Sequence, residues 1–120
     1  MKRDLDLIRK LVLAVEEVPT GFVRDNLRIE GYTDEQVEYH SYLLVDAGLA
    51  EGVKVTTQAS TGPEYRILHL TSAGHDFAAA ARNDVVWRKA SVKVGEKAGS
   101  VTLDVMKELL VNIVKAYVST

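Results

Sequence analysis

Cysteine is absent from the 120 residues of this chain. That closes off a disulfide framework and every thiolate metal site, and it suits a reducing compartment. No stretch approaches the ~18 consecutive apolar residues that a membrane-spanning helix requires. The opening residues Met1-Lys2-Arg3-Asp4-Leu5-Asp6 put acids where an export signal needs an unbroken apolar core. The expectation is a cytoplasmic protein with no membrane contact. An excess of positive charge is missing as well. Lys and Arg number 15 against 17 Asp and Glu, a formal charge of −2, whereas domains that grip nucleic-acid backbones are commonly basic. Proline occurs only at Pro19 and Pro63, each near a Gly in a stretch that reads as a break between elements.

What remains is ordinary for one globular domain: 47% hydrophobic and 27% charged residues, in a length that leaves little room for two domains. The charge is unevenly laid out. Residues 30–52 hold six acids (Glu30, Asp34, Glu35, Glu38, Asp46 and Glu51) and no Lys or Arg. In residues 82–98 the balance reverses, with Arg82, Arg88, Lys89, Lys93 and Lys97 facing only Asp84 and Glu96.

Hydrophobic spacing supplies the elements. Leu5, Ile8, Val12 and Val15 recur at steps of three and four, and Leu7, Leu11 and Ala14 widen the same face, predicting a largely buried helix over residues 4–17. Residues 22–29 lack a helical period; Phe22, Val23, Leu27 and Ile29 suit a short extended segment. A second helix has well-marked ends. Thr33 and Gln36 form a capping box, Val37, His40, Leu44 and Ala47 face inward, and Gly48-Leu49 makes a left-handed stop. Residues 51–57 and 64–70 alternate as strands, Val53 and Val55 in the first and Tyr65 and Ile67 in the second, joined by a polar Gly-Pro loop. Thr71 or Ser72 caps a third helix carrying Ala73, Phe77 and Ala81 on one side. A fourth, over 85–97, turns Trp87, Ala90 and Val94 inward and its basic residues outward. A last helix, capped by Ser100 or Thr102, carries Leu103, Met106, Leu110, Ile113 and Tyr117.

Helices, then a hairpin, then a helix is the order of a winged helix-turn-helix. The expected fold is α+β, mainly α, with a two-stranded wing and extra C-terminal helices: a core over 1–82 and a helical extension over 83–120 packed on the same domain. Residues 37–50 (VEYHSYLLVDAGLA) resemble the recognition-helix stretch of bacterial winged-helix regulators, and Leu70-Thr71-Ser72-Ala73-Gly74 resembles their exit from the wing. The usual second helix would lie in 19–32, which does not read as one. Residues 1–10 (MKRDLDLIRK), 30–33 (EGYT) followed by Tyr39-His40, 46–49 (DAGL), 70–77 (LTSAGHDF) and 85–89 (VVWRK) resemble an uncharacterised bacterial and prophage-associated family, domain-of-unknown-function family twenty-five-thirteen. The resemblance implies a fold and no catalytic residues.

Two roles follow. In the first, a regulator-like protein binds DNA through Lys54 and Arg66 on the wing, polar donors at Gln58, Ser60 and Thr61, and an Arg88-Lys89-Lys93 face. Against it, the outward side of the second helix carries Glu35, Glu38, Tyr39, Tyr42 and Asp46 and no base, so it offers phosphates no counterion release and no base-reading Arg. In the alternative, a protein-interaction module uses Tyr32, Tyr39 and Tyr42 among Glu35, Glu38 and Asp46 to dock a basic partner, because tyrosines supply contact area at low entropic cost. The apolar width of the last helix suits a two-fold dimer through Leu103, Met106, Leu110, Ile113 and Tyr117. No cofactor or metal is expected: His40, His69 and His75 lack zinc-type spacing, and a histidine on an apolar helix face is more often a packed core residue. No nucleophile elbow or phosphate loop is present, so the chain does not read as an enzyme.

Overall fold

In the computed structural model, residues 1–55, 64–96 and 103–118 are described. They form five helices, α1 (Leu5–Glu16), α2 (Asp34–Asp46), α3 (Ser72–Arg82), α4 (Asp84–Glu96) and α5 (Leu103–Val118), and two strands, β1 (Ala50–Val55) and β2 (Glu64–Leu70). The fold is α+β and mainly helical. The chain divides into two compact units, Met1–His75 and Asp76–Thr120, so the division falls inside α3. Among the described residues no helix is long and apolar enough to cross a membrane.

The first unit packs α1 and α2 against each other and against the antiparallel β1–β2 pair. Its core takes most of the face the spacing predicts: Leu7, Ile8, Leu11, Val12 and Val15 from α1 are buried with Val37 and Leu44 of α2 and Ile67 and Leu70 of β2, while Leu5 and Ala14 of the predicted face are only half-buried. Each fully buried Leu or Ile side chain contributes about 1.5–3 kcal/mol. Helix α1 starts at Asp4, whose carboxylate accepts from the amides of Asp6 (2.9 Å) and Leu7 (3.2 Å). Helix α2 starts with the full capping box: Thr33 Oγ1 accepts from Gln36 N–H at 3.1 Å, and Gln36 Oε1 accepts from Thr33 N–H at 2.8 Å.

The end of α2 and the start of α3 form one junction. Gly48 (φ +76°) lets the chain reverse, Leu49 N–H reaches back to the Leu44 carbonyl at 3.0 Å, and the Leu49 side chain is buried. Thr71 then closes on the same turn: its N–H donates to Leu49 O (3.0 Å) and its hydroxyl to Gly48 O (2.7 Å). Thr71 Oγ1 also accepts from Gly74 N–H at 3.1 Å, capping α3. Gly74 lies so close to the Leu49 carbonyl that a Cβ there would overlap it.

Three details differ from the sequence pattern: Ala73 is exposed while Phe77 and Ala81, expected on the same side of α3, are buried; the other two lie in residues 19–32 and in β1. Residues 19–32 form neither helix nor strand; they are irregular chain whose Val23 N–H donates to Leu68 O at 2.7 Å. In β1 the register shifts between Glu51 and Gly52, so that Gly52 opposes the buried Ile67 and Val53 opposes Arg66. Ala50 is buried and Gly52 lies against Val45 of α2, so the alternation of β1 itself puts Val53 on the outer face, 42% exposed, where the sequence pattern places it inside.

In the second unit α4 packs on α5. Asn83, which separates α3 from α4, caps α4 by accepting from the amides of Val85 (3.0 Å) and Val86 (3.1 Å). Trp87 and Ala90 are buried as expected, and Phe77 meets Trp87 edge-on at 6.2 Å between centroids. Val94 is outside the side chains described.

Candidate functional site

The outward side of α2 gathers acids and tyrosines on one helix. Glu35, Tyr42 and Asp46 are exposed, and Glu38 and Tyr39 are half-buried. Tyr39 and Tyr42 are three apart, which places them side by side on a helix, with ring centroids 6.1 Å apart. Tyr42 then meets Tyr65 of β2 at 5.0 Å, and Tyr39 touches the His40 ring at 5.7 Å. The result is a continuous array, Tyr39–Tyr42–Tyr65, running from α2 onto the hairpin and flanked by acids. Each such aromatic pair is worth about 0.5–1.5 kcal/mol beyond its buried area, so the array is held in place while Tyr42 remains 37% exposed.

Sequence spacing finds Tyr39 and Tyr42 but not Tyr65, because only the packing of β2 on α2 brings that strand residue to the helix. Tyr32 does not join the array. It lies against α1, its ring 5.3 Å from Lys10 Nζ. Its phenol is pushed above the ordinary value of 10.0 by burial first, then by the Asp4 charge and a hydrogen bond with the Asp4 side chain, then by Asp6.

His40, beneath the array, is 1% exposed and fully engaged. Its Nε2 accepts from Asp4 N–H at 2.8 Å, and its Nδ1 faces the Gln36 carbonyl at 2.8 Å. A carbonyl can only accept, so Nδ1 carries the proton and the imidazole is neutral. The ring fastens the start of α1 to α2, which is a structural employment. His69 Nδ1 is engaged by the Leu70 carbonyl at 2.8 Å, and the exposed His75 lies 3.8 Å from Glu16. Among the described residues no group of three or more His, Asp or Glu side chains is placed to hold a metal ion.

The basic candidates divide between the two units. Arg88, Lys89 and Lys93 are all exposed on α4, and Lys54 is exposed on β1. Gln58, Ser60 and Thr61 lie outside the described residues. Arg66, opposite Val53 on the hairpin, is only partly exposed. It lines a cleft beside α2, its Nε buried without a hydrogen-bond partner among the described residues. Of the α5 stripe, Leu103, Met106 and Leu110 are covered within the single chain, and nothing is described of the Ile113 and Tyr117 side chains.

Comparison with known proteins adds identity without activity. An "Uncharacterized protein" of Haemophilus influenzae (strain ATCC 51907 / DSM 11121 / KW20 / Rd) is 31% identical over 122 residues, covering 95% of this chain and 96% of that protein. No solved structure matches the chain. The family model described as "Hypothetical protein (DUF2513)" matches residues 2–100, a span that takes in α1, the α2 capping box, the tyrosine array and the Gly48–Gly74 junction, and the chain therefore belongs to the DUF2513 family.

Proposed function

We propose that this protein is a winged-helix-type interaction module that docks a basic segment of a protein partner on the exposed face of α2. One observation carries the reading: an aligned array of three tyrosines, Tyr39–Tyr42–Tyr65, on a helix that bears Asp34, Glu35, Glu38 and Asp46 and neither Lys nor Arg. Tyrosine rings offer broad amphipathic contact with only two torsions to freeze. Acids around them favour Lys and Arg on the incoming chain, and cations stack on tyrosine faces. The winged-helix assignment rests on the order of α1, α2, the β1–β2 hairpin and α3, with irregular chain at 19–32 where the usual second helix would stand. In that frame α2 occupies the recognition-helix position, and its charge is the wrong sign for a phosphate-lined groove.

A DNA-binding role has one specific observation in its favour, the exposed Arg88, Lys89 and Lys93 on α4. The two readings separate in one pair of measurements. A displayed library of Lys- and Arg-rich peptides should yield binders whose affinity falls with salt and is lost in the Tyr39→Ala, Tyr42→Ala double variant. That variant should keep its circular dichroism and give up about 1–2 kcal/mol of stability through the broken ring contacts. In parallel, the protein is offered pooled genomic DNA fragments at low and high salt. Salt-sensitive enrichment of particular fragments, abolished by Arg88→Gln, Lys89→Gln and Lys93→Gln and untouched by the tyrosine changes, would replace the docking reading with a DNA-binding one.

A further inference from the structure

A cleft of about 360 Å³ opens in the first unit between the irregular chain at 23–28, β2 and the N-terminal half of α2. Its size falls in the range of small-molecule sites, roughly 300–1,000 Å³. Val37, Ser41 and Ile67 are buried beneath it, while Asp25, Arg28 and Asp34 stand exposed around it. Neither the core nor the tyrosine array uses these groups together.

Three features specify what would fit. Arg66 lines the cleft with its Nε buried and making no hydrogen bond among the described residues. A buried charged donor left unmet is costly, so the position calls for an acceptor, and a carboxylate is the strongest match. Ser41 spends its hydroxyl proton on the Val37 carbonyl at 2.7 Å, so toward the cleft its oxygen can only accept. Around them Asp25, Asp34 and Glu38 outnumber Arg28 and Arg66, leaving the walls net negative by one. A purely anionic ligand would meet three acids, and a purely cationic one would leave Arg66 unmet.

We propose that the cleft is a site for a small basic zwitterion, a molecule with one carboxylate and a longer cationic chain, of which free L-arginine is the simplest probe. The carboxylate accepts from Arg66. The ammonium and guanidinium N–H groups face Ser41 Oγ and the acids, and the methylene stem lies over Val37 and Ile67. The cleft adjoins the tyrosine face and shares Asp34, Glu38 and Tyr65 with it, but Tyr39 and Tyr42 do not line it.

The test is titration of the isotopically labelled protein with L-arginine and with agmatine, which has the same chain without the carboxylate, followed through backbone amide shifts. Saturable shifts at Val37, Ser41 and Ile67 are expected, with L-arginine roughly 10-fold tighter than agmatine, the scale of one charge-assisted hydrogen bond. Arg66→Gln should erase that preference. Asp34→Asn, at an exposed position, should weaken both ligands, and the Tyr39→Ala, Tyr42→Ala variant should bind as the parent does. No saturable shift at those amides, or equal affinity for both compounds in the parent protein, overturns the proposal. Should Arg66→Gln not fold, the arginine-to-agmatine ratio of the parent and the effect of Asp34→Asn decide the matter.

Discussion

Replacing Gly74 with alanine is the sharpest probe of how this fold is locked. On an open helix the change stabilises by up to about 1 kcal/mol, because glycine is a poor helix former. Here the added methyl would fall inside the Leu49 carbonyl group, 2.9 Å from its carbon and 3.1 Å from Leu70 Cβ. The obstacle is backbone, and that backbone is itself held: Leu49 O accepts from Thr71 N–H at 3.0 Å, and Thr71 Oγ1 is bound to Gly48 O at 2.7 Å. Relief requires α3 to move off the Gly48–Leu49 turn. Overpacking of this kind costs about 1–3 kcal/mol, and each weakened hydrogen bond adds about 1 kcal/mol. Net of the propensity gain, Gly74→Ala should destabilise by roughly 2–4 kcal/mol, a large part of a typical domain's 5–15 kcal/mol. Urea unfolding at unchanged m-value reads this as a lowered midpoint. The control is Ala73→Gly at the exposed neighbouring position, which should lose only about 1 kcal/mol of helix propensity. A Gly74→Ala protein as stable as its parent would refute the account of the junction.

Other expectations follow from the same contacts. His40→Ala removes a buried ring and strands the Asp4 amide that donates to it at 2.8 Å, so it should cost about 2–4 kcal/mol; a loss below about 1 kcal/mol in urea unfolding would mean the ring is not the fastening between α1 and α2. Tyr32 is held neutral by burial and by its acidic neighbours Asp4 and Asp6. Because its folded pKa is raised, the stabilisation is complete below the unfolded phenol value of about 10 and is lost as pH climbs through the folded value. Melting temperatures should therefore fall more steeply above pH ~10 in the parent than in Tyr32→Phe, and parallel curves would contradict this.

Much of the architecture was legible in the chain because it rests on local rules. The α1 stripe, the Thr33–Gln36 box and the Gly48 stop are each written within a few residues, and each forms as the spacing implies. The two motifs at residues 46–49 and 70–74 could be recognised separately, but their interlock could not, since it depends on residues some twenty positions apart meeting in space. Val53 is the exception: β1 alternates from the buried Ala50 through Gly52, and a glycine has no side chain to mark the inner face in the sequence.

The candidate surfaces divide along the same line. Composition and helical period were enough to place acids and tyrosines outward on α2 and a basic face on α4, since those are properties of one helix at a time. Tyr65's arrival beside Tyr42, Tyr32's departure to α1 and the placing of Arg66 at a cleft are contacts between elements distant in the chain, and the burial of Leu103, Met106 and Leu110 depends on how α5 packs. Periodicity says which way a side chain leaves its own helix or strand. What it meets there, and whether it stays in water, is set by how the elements pack.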